Sequence, residues 1–188
     1  LSNSRPVEGP AFLCAYLIKR QTRLSHRLIH YKPNSTYTRC IKYQQEFFMN
    51  ILIIDDHEIV RDGIKALIEQ EYGWHVVYAV DSIGALPSYA SFDEVDVAIL
   101  DISLVNESGF DTLVKIKQQA PFVKCLMLSM YEHVGYISKA LELGADGYVT
   151  KNAATKELMN SLESLEIDEN YLSSDISKKL AFGDKCLT

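Results

Sequence analysis

The sequence predicts an α/β protein with a doubly wound, five-stranded parallel sheet and helices on both faces. Three observations predict it. First, Ile51 to Ile54 and Val97 to Leu100 are apolar runs without alternation. Runs of that kind suit strands buried on both faces. Second, each strand is followed by a stretch of about 10–15 residues, usually of helical periodicity, which implies parallel crossovers. Third, four strands end on polar residues that together supply carboxylates (Asp55 and Asp56, Asp101), a hydroxyl (Ser129) and an amine (Lys151). In an open parallel sheet these ends form the edge where ligands bind.

The elements follow in order. Met49 to Ile54 is the first strand. From His57 the pattern becomes helical, with Ile59, Val60, Ile64, Leu67 and Ile68 on one face and Arg61, Asp62, Lys65 and Glu69 on the other. Asp56 or its neighbour is expected to cap this helix, and Gly73 to end it. Trp74 to Val80 is the second strand. Ser82 to Ser91 reads as a weaker helix, disturbed by Pro87. Asp96 to Asp101 is the third strand. Ser108-Gly109 opens a helix to Gln119, with Phe110, Leu113 and Ile116 inward, and Pro121 breaks it. Lys124 to Leu128 is the fourth strand, and Glu132 to Leu143 a helix ended by Gly144. Asp146 to Thr150 is a short fifth strand. Thr155 to Leu165 is a helix with Leu158, Leu162 and Leu165 on one face, and Asp175 to Ala181 a further short helix. The strand order expected for such a chain is the flavodoxin-like 2-1-3-4-5.

Charge divides the chain. Residues 1–48 carry eight Lys/Arg and two acids; residues 49–188 carry eleven and twenty-three, for a total of −6. The acidic part has no electrostatic footprint for nucleic acid. Residues 1–48 also hold three of the five prolines. They are expected to be a basic extension with little order, ahead of a natural start at Met49. The alternative is a basic arm that binds an acidic partner. Residues 49–167 are expected to form the folded domain. Residues 168–188 are expected to be a linker. No apolar run approaches the roughly 20 residues needed to cross a bilayer. The four cysteines form no Cys-x-x-Cys pair, and Cys125 falls inside a buried strand, which fits a reducing cytoplasm.

Asp55, Asp56 and Asp101 should converge at the ends of two adjacent strands. At about 5 Å and an effective dielectric of about 20, each pair of carboxylates repels by roughly 3 kcal/mol. A hard divalent cation removes that cost, and Mg²⁺ prefers one or two carboxylates, waters and a phosphoryl oxygen. Acid pairs at strand ends also cap helices, and Asp55-Asp56 alone does not separate the two readings. Asp101, Ser129 and Lys151 at matching strand ends favour a site for phosphoryl chemistry.

From Met49 to about Leu165 the chain resembles a response-regulator receiver domain, and most closely those of the NarL/FixJ (LuxR-type output) family. The residues that carry the resemblance are Ile-Leu-Ile-Ile-Asp-Asp-His-Glu-Ile-Val-Arg-Asp-Gly (51–63), Ala-Ile-Leu-Asp-Ile-Ser-Leu (98–104), Ser-Gly-Phe-Asp (108–111), Leu-Met-Leu-Ser-Met-Tyr (126–131) and Ala-Leu-Glu-Leu-Gly-Ala-Asp-Gly-Tyr-Val-Thr-Lys (140–151). The resemblance implies that Asp101 accepts a phosphoryl group from a phosphohistidine on a sensor kinase. It implies Mg²⁺ bound by Asp56, Asp101 and the Ser103 main-chain carbonyl, with Asp55 acting through water. Lys151 would neutralise a phosphoryl oxygen, and Ser129 would donate its hydroxyl to the phosphoryl group. Ser129 and Tyr148 would form the switch. The bland readings are a strand end for Ser129, a surface lysine for Lys151 and ordinary packing for Tyr148. His57 occurs in the family's Asp-Asp-His; one histidine makes no metal site, and it is given no catalytic role.

The pattern is not complete. Many receivers have proline shortly after the Leu104 position, where this chain has Val105-Asn106-Glu107, and Asn152 stands where many have proline after the lysine. Tyr171 to Ala181 resembles the linker of NarL-like regulators. Cys186-Leu187-Thr188 resembles the first residues of their helix-turn-helix domain. The expected function is therefore a receiver controlling transcription through a DNA-binding domain beyond this chain, with phosphorylation-dependent homodimerisation. The alternative is a stand-alone phosphoreceiver that acts by protein contacts. A haloacid-dehalogenase-type phosphatase fits poorly, because it wants Asp-x-Asp after the first strand. The chain is not expected to be an enzyme beyond slow loss of its own phosphoryl group.

Overall fold

The computed structural model describes residues 48–105, 107–153 and 155–182. The expectations for residues 1–47 and 183–188 lie outside the described residues.

The sheet has six parallel strands in the order β2-β1-β3-β4-β5-β6. They are β1 (Met49–Ile54), β2 (Trp74–Val80), β3 (Val97–Asp101), β4 (Lys124–Ser129), β5 (Gly147–Thr150) and β6 (Tyr171–Leu172). The five-strand expectation is thus corrected by one strand. β6 is only two residues long and pairs Gly147 with Tyr171 and Tyr148 with Leu172. No apolar run marks it, because most of its pairing energy comes from main-chain atoms.

The helices are α1 (Glu58–Ile68), α2 (Gly109–Gln119), α3 (Val134–Glu142), α4 (Thr155–Glu166) and α5 (Ser174–Phe182). Strand alternation decides which face each covers. Leu52, Ile54, Ala98, Leu100, Cys125, Met127 and Tyr148 point to one face, with Leu113 and Ile116 of α2, Ile137 and Ala140 of α3 and Ile176 of α5. Ile51, Ile53, Val97, Ile99, Leu126, Leu128 and Val149 point to the other, with Ile64 and Ile68 of α1 and Leu158, Leu162 and Leu165 of α4. Burying one Leu or Ile side chain contributes about 1.5–3 kcal/mol, and each layer holds many.

Two local expectations fail. The segment 82–91 is not an α-helix. It holds a short 3-10 turn at Ile83–Ala85, and a second turn, Phe92–Glu94, follows it. Pro87 has no amide proton and Gly84 disfavours helix, so the tighter turns win. In α1, Ile59 is 89% exposed, and the inward stripe is Val60, Ile64 and Ile68. The i, i+4 spacing of those three excludes Ile59 from the same face.

Glycines set two positions that matter below. Gly144 follows α3 with φ +95°. Ala145 donates to the Ala140 carbonyl and Gly144 to Leu141, the paired bonds of a Schellman ending. Gly109 opens α2 against the end of β3. A β-carbon there would lie 2.0 Å from the Asp101 carbonyl oxygen. No helix among the described residues is long and apolar enough to cross a membrane.

Candidate functional site

The C-terminal ends of β1, β3, β4 and β5 lie side by side, as parallel pairing requires. β1 pairs Ile54 with Leu100, β3 pairs Asp101 with Leu128, and β4 pairs Ser129 with Thr150. Each chain segment then turns toward a helix and releases its polar side chain at one edge. Asp55 and Asp101 are each 2% exposed, and Lys151 9%.

Lys151 joins the two buried acids. Its Nζ lies 2.8 Å from Asp55 Oδ2 and 2.7 Å from Asp101 Oδ2. Residues fifty apart along the chain meet because the Lys151 amide donates to the Ser129 carbonyl, fixing where β5 ends. An ammonium between two buried carboxylates offsets most of their repulsion, and loss of it would leave uncompensated charge.

Of the two caps expected for α1, Asp56 or its neighbour, the position falls to the neighbour. The N-cap position belongs to His57, and the His57 side chain makes no capping bond. Asp56 instead turns toward the loop after β3, where its Oδ2 accepts from the Val105 amide at 2.8 Å. The amide of Ser103 donates to Asp101 Oδ1 at 3.3 Å, so the loop's backbone also steadies the acceptor. The loop is closed by an antiparallel bridge between Ser103 and Ser108 and by the Ser108 hydroxyl, which accepts from the Phe110 amide. Glu107 ties it further, accepting from the Ile83 amide at 2.8 Å and pairing with Lys115.

Ser129 is fully buried at the end of β4, and its Oγ accepts from the Tyr131 amide at 3.0 Å. Tyr148 is also fully buried, and its hydroxyl donates to the Tyr131 carbonyl at 2.8 Å. Burial pushes the Tyr148 phenol above its ordinary range, against a smaller opposing effect of its bond with Ser129. Tyr131 thus links the two residues expected to form a switch. Its ring stacks on Tyr136 at 4.3 Å between centroids.

The donor set fits a hard cation. Ligand atoms of Asp55, Asp56, His57 and Asp101 all lie within 4.8 Å of one another. Asp56 Oδ1 and Asp55 Oδ2 are buried without a hydrogen-bond partner, so each has a lone pair to give. His57 is the member that sequence reasoning left out. The available signal was its place at the helix N-cap, where a residue with a capping oxygen is the usual choice.

Comparison with known proteins follows this geometry. A sequence model described as the response regulator receiver domain matches residues 51–163. Response regulator UvrY of Escherichia coli K12 is 31% identical over 133 residues, covering 71% of this chain and 61% of its own length. The chain therefore spans about three-fifths of the curated relatives it matches. Among solved structures, a LuxR-family two-component response regulator from Aurantimonas sp. SI85-9A1 superposes with TM-score 0.66 at 31% identity, over 72% of this chain and 96% of that one. The isolated REC domain of RcsB from Salmonella enterica serovar Typhimurium, solved with the phosphomimetic BeF3−, gives 0.64 at 28%, over 70% and 97%. RcsB has also been solved as two dimers bound to two parallel DNAs, at 0.62 and 28% over 70% and 66%. With the acid cluster, the lysine and the parallel sheet already in place, the chain belongs to the response regulator receiver domain family.

Proposed function

We propose that this chain accepts a phosphoryl group on Asp101 from a phosphohistidine of a sensor histidine kinase, with Mg²⁺ as cofactor. The observation that carries the reading is the Lys151 ammonium between two buried carboxylates, with a third, Asp56, beside them. A carboxylate nucleophile needs placed positive charge to take up a dianionic group, since phosphoryl transfer is mostly positioning and electrostatics.

Asp101 attacks phosphorus through a carboxylate oxygen, and the bond to the histidine nitrogen breaks. Lys151 turns from the carboxylate to a phosphoryl oxygen, and Ser129 donates its hydroxyl to another. Asp56, Asp101 and the Ser103 carbonyl would hold Mg²⁺, with Asp55 helping to orient the site. When bound, the ion supplies positive charge beside the phosphoryl oxygens.

The new group adds about −1.5 to −2 charge at the sheet edge. Ser129 then leaves the Tyr131 amide, and Tyr148 and the start of α3 follow it. The output is transcription control through a DNA-binding domain outside this chain, with a phosphorylation-dependent homodimer, in the cytoplasm. The RcsB dimers on DNA support that extension by relationship. Apart from slow self-dephosphorylation, no turnover is assigned.

The test is direct. The chain is incubated with a small phosphodonor and Mg²⁺ and compared with Asp101→Asn. Labelling of wild type at one site and loss of at least about a hundredfold in the variant is expected; equal labelling would remove Asp101 from the reading.

A further inference from the structure

Residues 102–108 join β3 to α2 and contain neither proline nor glycine. No residue type in this loop fixes its own backbone angle, as proline would. Yet two of its amides are aimed at the acids. Ser103 donates to Asp101 Oδ1 at 3.3 Å, and Val105 donates to Asp56 Oδ2 at 2.8 Å. Val105 is 83% exposed, so packing of its side chain does not hold it there. The loop needs a tie from outside itself.

Glu107 supplies it. Its side chain is only 16% exposed, deep for a carboxylate on a loop. A charge so far out of water needs partners, and it has two, on different elements. Oε1 accepts from the Ile83 amide at 2.8 Å, and Oε2 faces Lys115 Nζ of α2 at 3.2 Å. Ile83 opens the 3-10 turn after β2, and the first amides of a turn have no acceptor within it. The bond from that amide to the carboxylate is the stronger of the two, because Lys115 is half exposed and its ion pair is screened by water. Glu107 thus fixes the loop to the segment after β2 and to the helix that follows. The bridge between Ser103 and Ser108, the residue after Glu107, carries the constraint back toward Asp101.

We infer that Glu107 is a positioning residue for phosphoryl uptake on Asp101. It touches neither the acceptor nor the phosphoryl group. It holds the β3–α2 loop so that the Ser103 and Val105 amides stay directed at the Asp101 and Asp56 carboxylates, which keeps one oxygen of each acid fixed and the other turned to the pocket. A loop freed from Ile83 swings both amides away and lets the two carboxylates rotate, and small misplacements of reacting groups are costly in rate. The inference rests on reading Asp101 as the phosphoacceptor, and it adds to that reading a residue outside the acid cluster.

The test reads the loop and the chemistry separately, on the full chain. Amide exchange is followed by NMR without metal, and the maximal rate of labelling is measured with acetyl phosphate and saturating Mg²⁺. Glu107→Ala removes both ties, and Glu107→Asp keeps the charge but is one methylene too short to hold both. Each is expected to speed exchange at Ile83, Ser103 and Val105 about tenfold or more, with the β1 and β4 amides unchanged. Each is expected to lower the maximal labelling rate about tenfold. Glu107→Gln keeps an oxygen for the Ile83 amide and is expected to restore both readouts to within about threefold of wild type, and Lys115→Ala to stay in the same range. Ile68→Val, a core change at the far end of α1, is the control for lost stability and leaves the exchange at Val105 and the labelling rate as in wild type. Unchanged exchange at Ser103 and Val105 in the Ala and Asp variants overturns the inference, as does faster exchange with undiminished labelling, or an equal loss of labelling in Ile68→Val. Wild type labelled no faster than Glu107→Ala removes this inference and leaves the receiver reading standing; wild type that is never labelled removes the receiver reading and the role in uptake with it.

Discussion

At the scale of single residues, burial decides which groups keep their protons. Cys125 lies inside β4 and is fully buried. Burial pushes its thiol up to about 12, against a smaller lowering effect of Lys117. In the unfolded chain a thiol titrates near about 8.5. The neutral form is the one the fold holds, so its contribution is complete below about pH 8.5 and is lost as pH rises toward 12. Denaturant melts of wild type are therefore expected to weaken between about pH 8.5 and 10.5 more than those of Cys125→Ala; parallel curves would exclude the thiol as a cause. Tyr148 behaves alike in sign, since its raised phenol stays a hydrogen-bond donor to Tyr131 at neutral pH. The residues of the acidic pocket were legible in the sequence because each ends an apolar run. His57 was not, because its one local signal, a place at the N-cap of α1, does not say which way an exposed ring will turn.

At the scale of elements, the turn from β3 into α2 carries the acceptor. Gly109 donates to the Ile102 carbonyl at 3.0 Å, and its missing side chain lets the helix start press on the Asp101 carbonyl. Gly109→Ala cannot be absorbed by a side-chain shift, because the obstacle is backbone. It is expected to destabilise by about 1–3 kcal/mol and to slow phosphoryl uptake. Gly84→Ala is the matched control, since a β-carbon there meets nothing within 4 Å. Thermal melts and labelling rates of the two variants check the claim, and equal behaviour would refute it. The helix periodicities of α2 and α4 were read correctly because their apolar stripes are long. The segment 82–91 was misread because Pro87 and a short apolar pattern leave the choice between helix and turns to packing, here beside Leu52 of β1 and Tyr78 of β2.

At the scale of the whole molecule, the last described segment completes the sheet and one core layer. The amide of Ser173 donates to the Tyr148 carbonyl, that of Tyr171 to Asp146, and Ile176 is fully buried. Lys179 pairs with Glu132 at 2.6 Å, on the loop that follows Ser129, and holds that carboxyl below its ordinary range. Ile176→Ala should cost about 2–5 kcal/mol unless the segment simply undocks at lower cost. Amide exchange distinguishes these outcomes: faster exchange confined to residues 171–182 marks undocking, while faster exchange throughout the sheet marks a shared core. Lys179→Ala is expected to change exchange much less, since both partners are well exposed. The sequence by itself determined the parallel α/β architecture, the acids at the strand ends and the lysine opposite them, because apolar runs and their punctuation are local signals. Only the tertiary structure decided the sixth strand, the exposed Ile59, the turns in place of a helix and the histidine folded onto the carboxylates. Each of those depends on which distant surface is free to be covered, and that is set once the sheet has formed.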